Sequence, residues 1–189
     1  GIYGIPRAFE AAKESGIKLI VGAELTLASA EDAPAQILTL LAKTRDSYGL
    51  ICRLLTESFR GKEKGNACLA WPDFFAVTKD YSQQAQDLIF LCGADDSGLV
   101  NFLEDEAWLR FCEGFSRQAY WLESRFLDGR DEWRRTMARQ VERRFGLRRV
   151  ASNDVYYHDA SRRPLQDALI AIRENTPLKE CGFRLFQNY

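Results

Sequence analysis

The chain has 189 residues, 46% of them hydrophobic, enough for one core of its own and within the globular range. Its 26 basic and 27 acidic side chains nearly cancel to a formal net charge of -1, and no long block of like charge interrupts it. A bulk nucleic-acid binder and an acidic tail are therefore both excluded, and any nucleic-acid contact must be local.

Pro6 opens an apolar-periodic run through Ala8, Phe9 and Ala12 that Gly16 closes, which predicts a helix over 6–15. Ile17, Leu19, Ile20 and Val21 form a continuous apolar stretch read as a strand buried on both faces, with Glu24 just past its end after Gly22. Leu38 to Ala42 repeats the strand signal, and Tyr48, Ile51, Cys52, Leu55 and Phe59 recur at helical spacing, giving a helix over 45–60. Gly61 to Asn66 is a polar loop. Leu88 to Cys92 is a further buried strand, and Asp95 to Gly98 is a turn leading into a helix through Trp108 and Phe111.

Tyr120 to Phe126 alternates like a strand. From Asp131 to Phe145, Trp133, Met137, Val141 and Phe145 define one helix face, with acids at its start and arginines toward its end, as the helix dipole prefers. Val150 and Ala151 lead into a strand end at Asn153 and Asp154, and Leu165, Ala168, Leu169 and Ile172 mark a closing helix after Pro164. Leu19, Ile20, Val150 and Leu169 are read as buried, and the tryptophans and phenylalanines as core. Short strands alternating with helices predict an α/β fold with a largely parallel sheet, open or closed into a barrel. Neither repeats nor a Pro/Ser-rich linker divides the chain, so 1–189 is read as a single domain.

The five cysteines, Cys52, Cys68, Cys92, Cys112 and Cys181, are odd in number, widely spaced and without a C-x-x-C pair, which argues against a disulfide framework and a zinc site. Reduced buried thiols fit a cytoplasmic location. No apolar run approaches a membrane span, so no membrane partner is expected.

Parallel barrels carry their chemistry at the carboxyl ends of strands, where Glu24 and Asp154 are expected. Each has a plainer reading: Glu24 as a solvated or capping carboxylate, and Asp154 as a partner of Asn153 in loop hydrogen bonds. A hydrolytic metal cluster needs several His and carboxylate donors held rigidly around an open position for water. His158 is the chain's single histidine; in an extended segment Asp154, Tyr156 and His158 point to one side. No Cys/His or Ser/His pair suggests a nucleophile, and Gly61 to Gly65 lacks the flanks of a phosphate loop.

Between Asp128 and Arg149 eight arginines face four acids, the one basic patch. It reads either as a solvated helix face with internal pairs such as Asp131 with Arg135, or as a surface for phosphate or another domain, with Arg139, Arg143 and Arg144 as the contacts. Arg162 and Arg163, on the turn before the last helix, are expected to meet a carboxylate locally or across a domain boundary.

Four stretches in order carry a family resemblance: Gly1 to Phe9, then IKLIVGAELT from Ile17, then LTLLAKTRDSYGLICRLLT from Leu38, and Ser152 to Asp167 with its Asn-Asp-Val-Tyr-Tyr-His core. They resemble the PHP domain, the polymerase and histidinol phosphatase module at the N-terminus of bacterial DNA polymerase III alpha subunits, with wording closest to the error-prone paralogue. The resemblance implies an incomplete PHP-type (β/α) barrel whose first strands, with their His-x-His and Asp-His pairs, are missing ahead of Gly1. It implies that Glu24 and Asp154 stand at metal-ligand positions, with His158 as a partial substitute, and that Mn or Zn is the cation of such a site. Two ligand positions have departed: Tyr156 stands where metal-binding members have a His, and Ile37, after Gln36, where the middle His belongs. A phenol is protonated near neutral pH and an alkyl chain coordinates nothing. The resemblance therefore implies a degenerate, structural domain. Its partner is the polymerase body of the same chain, which holds the catalytic Mg, and DNA is reached through the full-length protein. Rival readings are a metal-dependent phosphoesterase or proofreading nuclease, and a free-standing interaction module.

Overall fold

The computed structural model describes residues 1–28, 35–93, 105–124, 131–152, 155–182 and 185. Its elements in chain order are α1 (Ile5–Ser15), β1 (Gly22–Ala28), β2 (Gln36–Ala42), α2 (Arg45–Phe59), β3 (Leu69–Ala70), α3 (Trp71–Asp80), α4 (Ser82–Gln86), β4 (Leu88–Cys92), α5 (Glu106–Phe115), β5 (Ala119–Ser124), α6 (Asp131–Phe145), β6 (Arg148–Ser152) and α7 (Arg163–Arg173). Short 3-10 turns at Ala160–Arg162 and Leu178–Glu180 flank α7. Among these residues the strands form one six-stranded sheet in the order β3-β1-β2-β4-β5-β6.

The pairings β1–β3, β4–β5 and β5–β6 are parallel, whereas β2 is antiparallel to both of its neighbours, β1 and β4. Five strands thus share one direction and β2 alone opposes it. The carboxyl ends of those five lie together at the Gln36 end of β2; their amino ends lie at its Ala42 end.

Period-two alternation sorts the sheet's side chains into two unequal faces. Leu25 and Leu27 of β1, Leu38 and Leu40 of β2, Leu88, Phe90 and Cys92 of β4, and Ala119 and Trp121 of β5 are buried in one core with side chains of α2, α3, α5 and α6. The opposite face carries Ile37, Leu41, Ile89, Leu91 and Leu122, all only partly buried. Helix α1 buries none of its residues and α7 only Ile170.

Local signals explain the element ends. Thr44 and Ser47 form a reciprocal capping box at the start of α2, and Asp105 caps α5 by accepting from the Ala107 N–H. Gly16 ends α1 in the left-handed conformation. Gly93 turns at φ 81° after β4, where an added Cβ would lie 2.7 Å from the Trp121 ring.

Three sequence expectations are corrected. The apolar run Ile17 to Val21 is not the strand: Ile17 and Ile20 are 69% and 61% exposed, and the strand begins at Gly22, where pairing with β2 through Gly22–Leu41 becomes available. Val150 and Leu169, read as buried, are 38% and 53% exposed, because β6 is an edge strand and α7 rests little on the core. On α6 the buried side chains are Arg134, Ala138, Val141 and Phe145, one position round from the face that includes Trp133 and Met137; Trp133 is 38% exposed. Arg134 occupies that inner position with its guanidinium 3.2 Å from Asp131, so the charge is paired while its methylene stem packs. The Asp95 to Gly98 turn and the end of the Tyr120 to Phe126 strand lie outside the described residues.

All five cysteines are free, and Cys92, Cys112 and Cys181 are buried. Burial pushes the thiols of Cys92 and Cys112 up, Cys112 to about 12.

Two expected outcomes follow from this packing. Leu38→Asp, at a fully buried position in β2, should cost about 3 kcal/mol or more, whereas Ile20→Asp should change stability by about 0.5 kcal/mol or less. Urea denaturation of the two variants decides between this core and the one the apolar run suggested. The second concerns pH: the folded chain keeps thiol protons that the unfolded chain releases above the ordinary value of 9.0. Stability contributed by Cys112 is therefore full below that pH and is lost as pH rises from 9.0 toward about 12. The urea midpoint should fall more steeply in this range for the parent than for Cys112→Val; parallel curves would contradict the assignment.

Candidate functional site

Glu24 does not end a strand. It is the third residue of β1, toward its amino end, exposed on the face opposite the core. Directly across the ladder stands Thr39, flanked on the same face by Ile37 and Leu41. The strand that would have placed Glu24 at a carboxyl end begins five residues later than the apolar run suggested, which shifts the carboxylate into the strand. Asp154, with Asn153, lies outside the described residues.

His158 is exposed in a bend between β6 and α7. Its neighbour Asp159 caps the following 3-10 turn, accepting from the Ser161 N–H at 2.8 Å. Hydrogen bonds from Ser161 hold the Asp159 carboxyl below its ordinary value, and His158 adds a smaller pull in the same direction. Tyr156 is 41% exposed, and Ile37 lies on the partly buried sheet face.

Strand β1 is separated from β6 by β2, β4 and β5, four inter-strand steps or about 19 Å measured along the sheet. Among the described residues no three His, Cys, Asp or Glu side chains come together in a way that could hold a metal ion. Among the described residues, the face around Glu24 carries the hydroxyls of Thr39 opposite and Thr26 two residues on, beside the aliphatic chains of Ile37 and Leu41. That set does not fit a Mn or Zn centre, which needs several rigid donors.

The carboxyl end of the sheet instead presents Gln36, which sequence reading noted only for what it is not. Gln36 is 5% exposed; its Nε2 donates to Asp105 Oδ2 at 3.1 Å, tying the start of β2 to the cap of α5. Its Oε1 and the Trp71 Nε1 are both buried without a hydrogen-bond partner. The alternation of β2 marked this position as inward-facing, but nothing in sequence pointed to Asp105, 69 residues away.

The arginines divide by partner. Arg134 pairs with Asp131, Arg135 with Glu132 at 2.8 Å and Glu123 at 3.6 Å, and Arg149 with Glu123 at 3.0 Å and Glu142 at 2.9 Å. The intrahelical pairs are spaced i,i+3, where Asp131 with Arg135 had been expected at i,i+4. Arg149 ties edge strand β6 to both β5 and α6, and its charge helps to blunt an open edge. Arg163 meets Asp167 at 3.7 Å, the local carboxylate contact expected of it, while Arg162 is exposed at the N-cap of α7. Arg139, Arg143 and Arg144 are exposed and have no carboxylate partner among the described residues.

With this geometry in view, comparisons with known proteins are decisive. The PHP domain family matches residues 1–127, about two thirds of the chain. The chain belongs to the PHP domain family. It is 35% identical over 190 residues to an error-prone DNA polymerase of Pseudomonas fluorescens, covering 99% of this chain and 16% of that protein. It is similar to the error-prone DNA polymerase of Anaeromyxobacter dehalogenans, 34% identical over 195 residues, and to that of Pseudomonas aeruginosa, 36% identical over 188 residues. The PHP chain spans about a sixth of the length of these relatives. Its mixed α/β sheet is consistent with an incomplete PHP-type barrel, and among the described residues no helix is long and apolar enough to cross a membrane.

Replacing Arg149 by Met should cost this PHP domain about 1 kcal/mol or less, since its side chain is a third exposed and Glu123 keeps Arg135. The loss should shrink as salt is raised. Urea melts at low and high ionic strength test both statements.

Proposed function

We propose that this chain is a catalytically silent PHP domain within an error-prone DNA polymerase III alpha-like protein, folded as one domain over 1–189. Its work is to pack against the polymerase body of the same polypeptide, in the cytoplasm, while the body carries the catalytic Mg and holds the DNA. The observation that carries the reading is the alignment: relatives named error-prone DNA polymerase match 97 to 100% of this chain at 33 to 36% identity, yet extend far beyond it. The silent state is supported by the sparse surroundings of Glu24 and by the tyrosine and isoleucine at two ligand positions. A packing role is supported by apolar side chains that the chain itself leaves uncovered, Phe9 on α1 and Leu165, Leu169 and Ile172 on α7.

Glu24, Asp154 and His158 remain candidate metal positions, and they define the rival, a metal-dependent phosphoesterase or proofreading nuclease. Two experiments separate the readings. The isolated chain should not turn over a generic phosphodiester in Mn or Zn; turnover that disappears in Glu24→Ala or Asp154→Ala would establish the rival. In the full-length polymerase, the double change Glu24→Ala with Asp154→Ala should alter primer extension by about twofold or less, under ~0.5 kcal/mol of transition-state energy, while Leu38→Asp should abolish it. Loss of synthesis in a well-folded double variant would overturn the packing role.

A further inference from the structure

The amino ends of the parallel strands carry a concentration of positive charge that the packing role does not use. Helix α6 delivers Arg143 and Arg144 in its last turn. Gly146, at φ 69° with its N–H on the Glu142 carbonyl at 3.0 Å, reverses the chain, and two residues later Arg148 opens β6. Arg148 donates to the Arg117 carbonyl at 3.0 Å and to the Tyr120 hydroxyl, with its guanidinium 4.4 Å above the Tyr120 ring. The main chain of Arg117, just before β5, is thereby held against the Arg148 guanidinium, which places the exposed Arg117 side chain at the same end of the sheet.

All four arginines are exposed, and none has a carboxylate partner among the described residues. Arg148 is satisfied by neutral groups only, so its charge remains uncompensated. Glu113, one helical turn before Arg117, forms no ion pair with it, and Glu142 is engaged by Arg149. The dipole of α6 favours Arg143 and Arg144 at its end, but it offers nothing to Arg117 or Arg148.

Uncompensated like charges held together by backbone geometry lower their energy by meeting an anion. Guanidinium groups match phosphate in both shape and charge. We infer that Arg117, Arg143, Arg144 and Arg148 form a contact surface for the phosphate backbone of DNA, at the amino ends of the parallel strands β5 and β6. The surface reads no base sequence. It adds a salt-sensitive hold on DNA that is independent of the docking proposed above, and a chain that docks but does not bind DNA would separate the two.

The test is fluorescence anisotropy of the 189-residue chain with a labelled 20-base-pair duplex between 50 and 200 mM KCl. The probe variant combines Arg117→Ala, Arg143→Ala and Arg144→Ala, leaving Arg148 because it also holds Tyr120. Each neutralised phosphate contributes about 0.9 to the slope of log affinity against log salt, so the triple variant should lose up to about 3 units of slope and bind at least tenfold more weakly at 50 mM. Arg53→Ala, removing an exposed arginine paired with Glu57 on α2, should match the parent. Failure of the parent to bind at 50 mM overturns the inference, as does an unchanged affinity in a triple variant that melts like the parent. Tighter binding of a poly-glutamate peptide than of the duplex, lost in the same variant, would also overturn it by assigning the surface to an acidic protein.

Discussion

A single aromatic layer between one sheet face and the helices above it holds the fold together. Trp71 opens α3 and lies 5.4 Å from Trp108 of α5; Trp108 meets Phe111 edge-on at 4.9 Å, and Phe111 meets Phe90 of β4 at 5.3 Å with the rings nearly perpendicular. Phe115 closes the circuit at 5.0 Å from Phe90. Edge-to-face contacts add about 0.5–1.5 kcal/mol each beyond simple burial. The layer joins a central strand to two helices that are separated in sequence by more than twenty residues. Once it forms, the orientations of β4, α3 and α5 are fixed together.

The other sheet face obeys the same alternation with a different result. Ile37, Leu41, Ile89, Leu91 and Leu122 are apolar but only partly buried, and α1 and α7 place almost nothing in the core. The hydrophobic effect rewards covering such a face in proportion to the area removed from water. Ile37 belongs to this apolar face, where a histidine would require desolvation without partners among the described residues.

Most elements were legible from the chain because their signals are local. Helices α2, α6 and α7 follow from periodicity, β4 from a short apolar run before Gly93, and the ends of α1 from Pro6 and Gly16. The failures share a cause, which is that burial is decided by neighbours. Ile17 to Val21 looks like a strand because it is apolar, but the ladder starts where β2 becomes available. Val150 belongs to a strand that, among the described residues, has a partner on one side only. Trp133 lost its inner place to Arg134 because Asp131 could neutralise the guanidinium. Trp71 and Phe74, at the centre of the core, sit in a helix that periodicity did not single out, because Pro72 and two adjacent phenylalanines obscure its apolar face.

Site residues were less legible for a related reason. Residue identity gives a phenol at Tyr156 and an alkyl chain at Ile37, where the family resemblance implies histidines. What identity cannot give is the company a side chain keeps. Glu24 retains its carboxylate, yet among the described residues its neighbours on that face are the hydroxyls of Thr39 and Thr26 and the aliphatic chains of Ile37 and Leu41, with no second strong donor to share a cation. The arginines show the converse. Eight cations in one segment look alike in sequence, but three of them, Arg134, Arg135 and Arg149, neutralise carboxylates within the fold, while Arg143 and Arg144 end α6 just before Arg148, whose guanidinium meets the Arg117 carbonyl from a different part of the chain. Charge that the fold has already compensated contributes to stability, and charge that it gathers and leaves uncompensated is available to a partner.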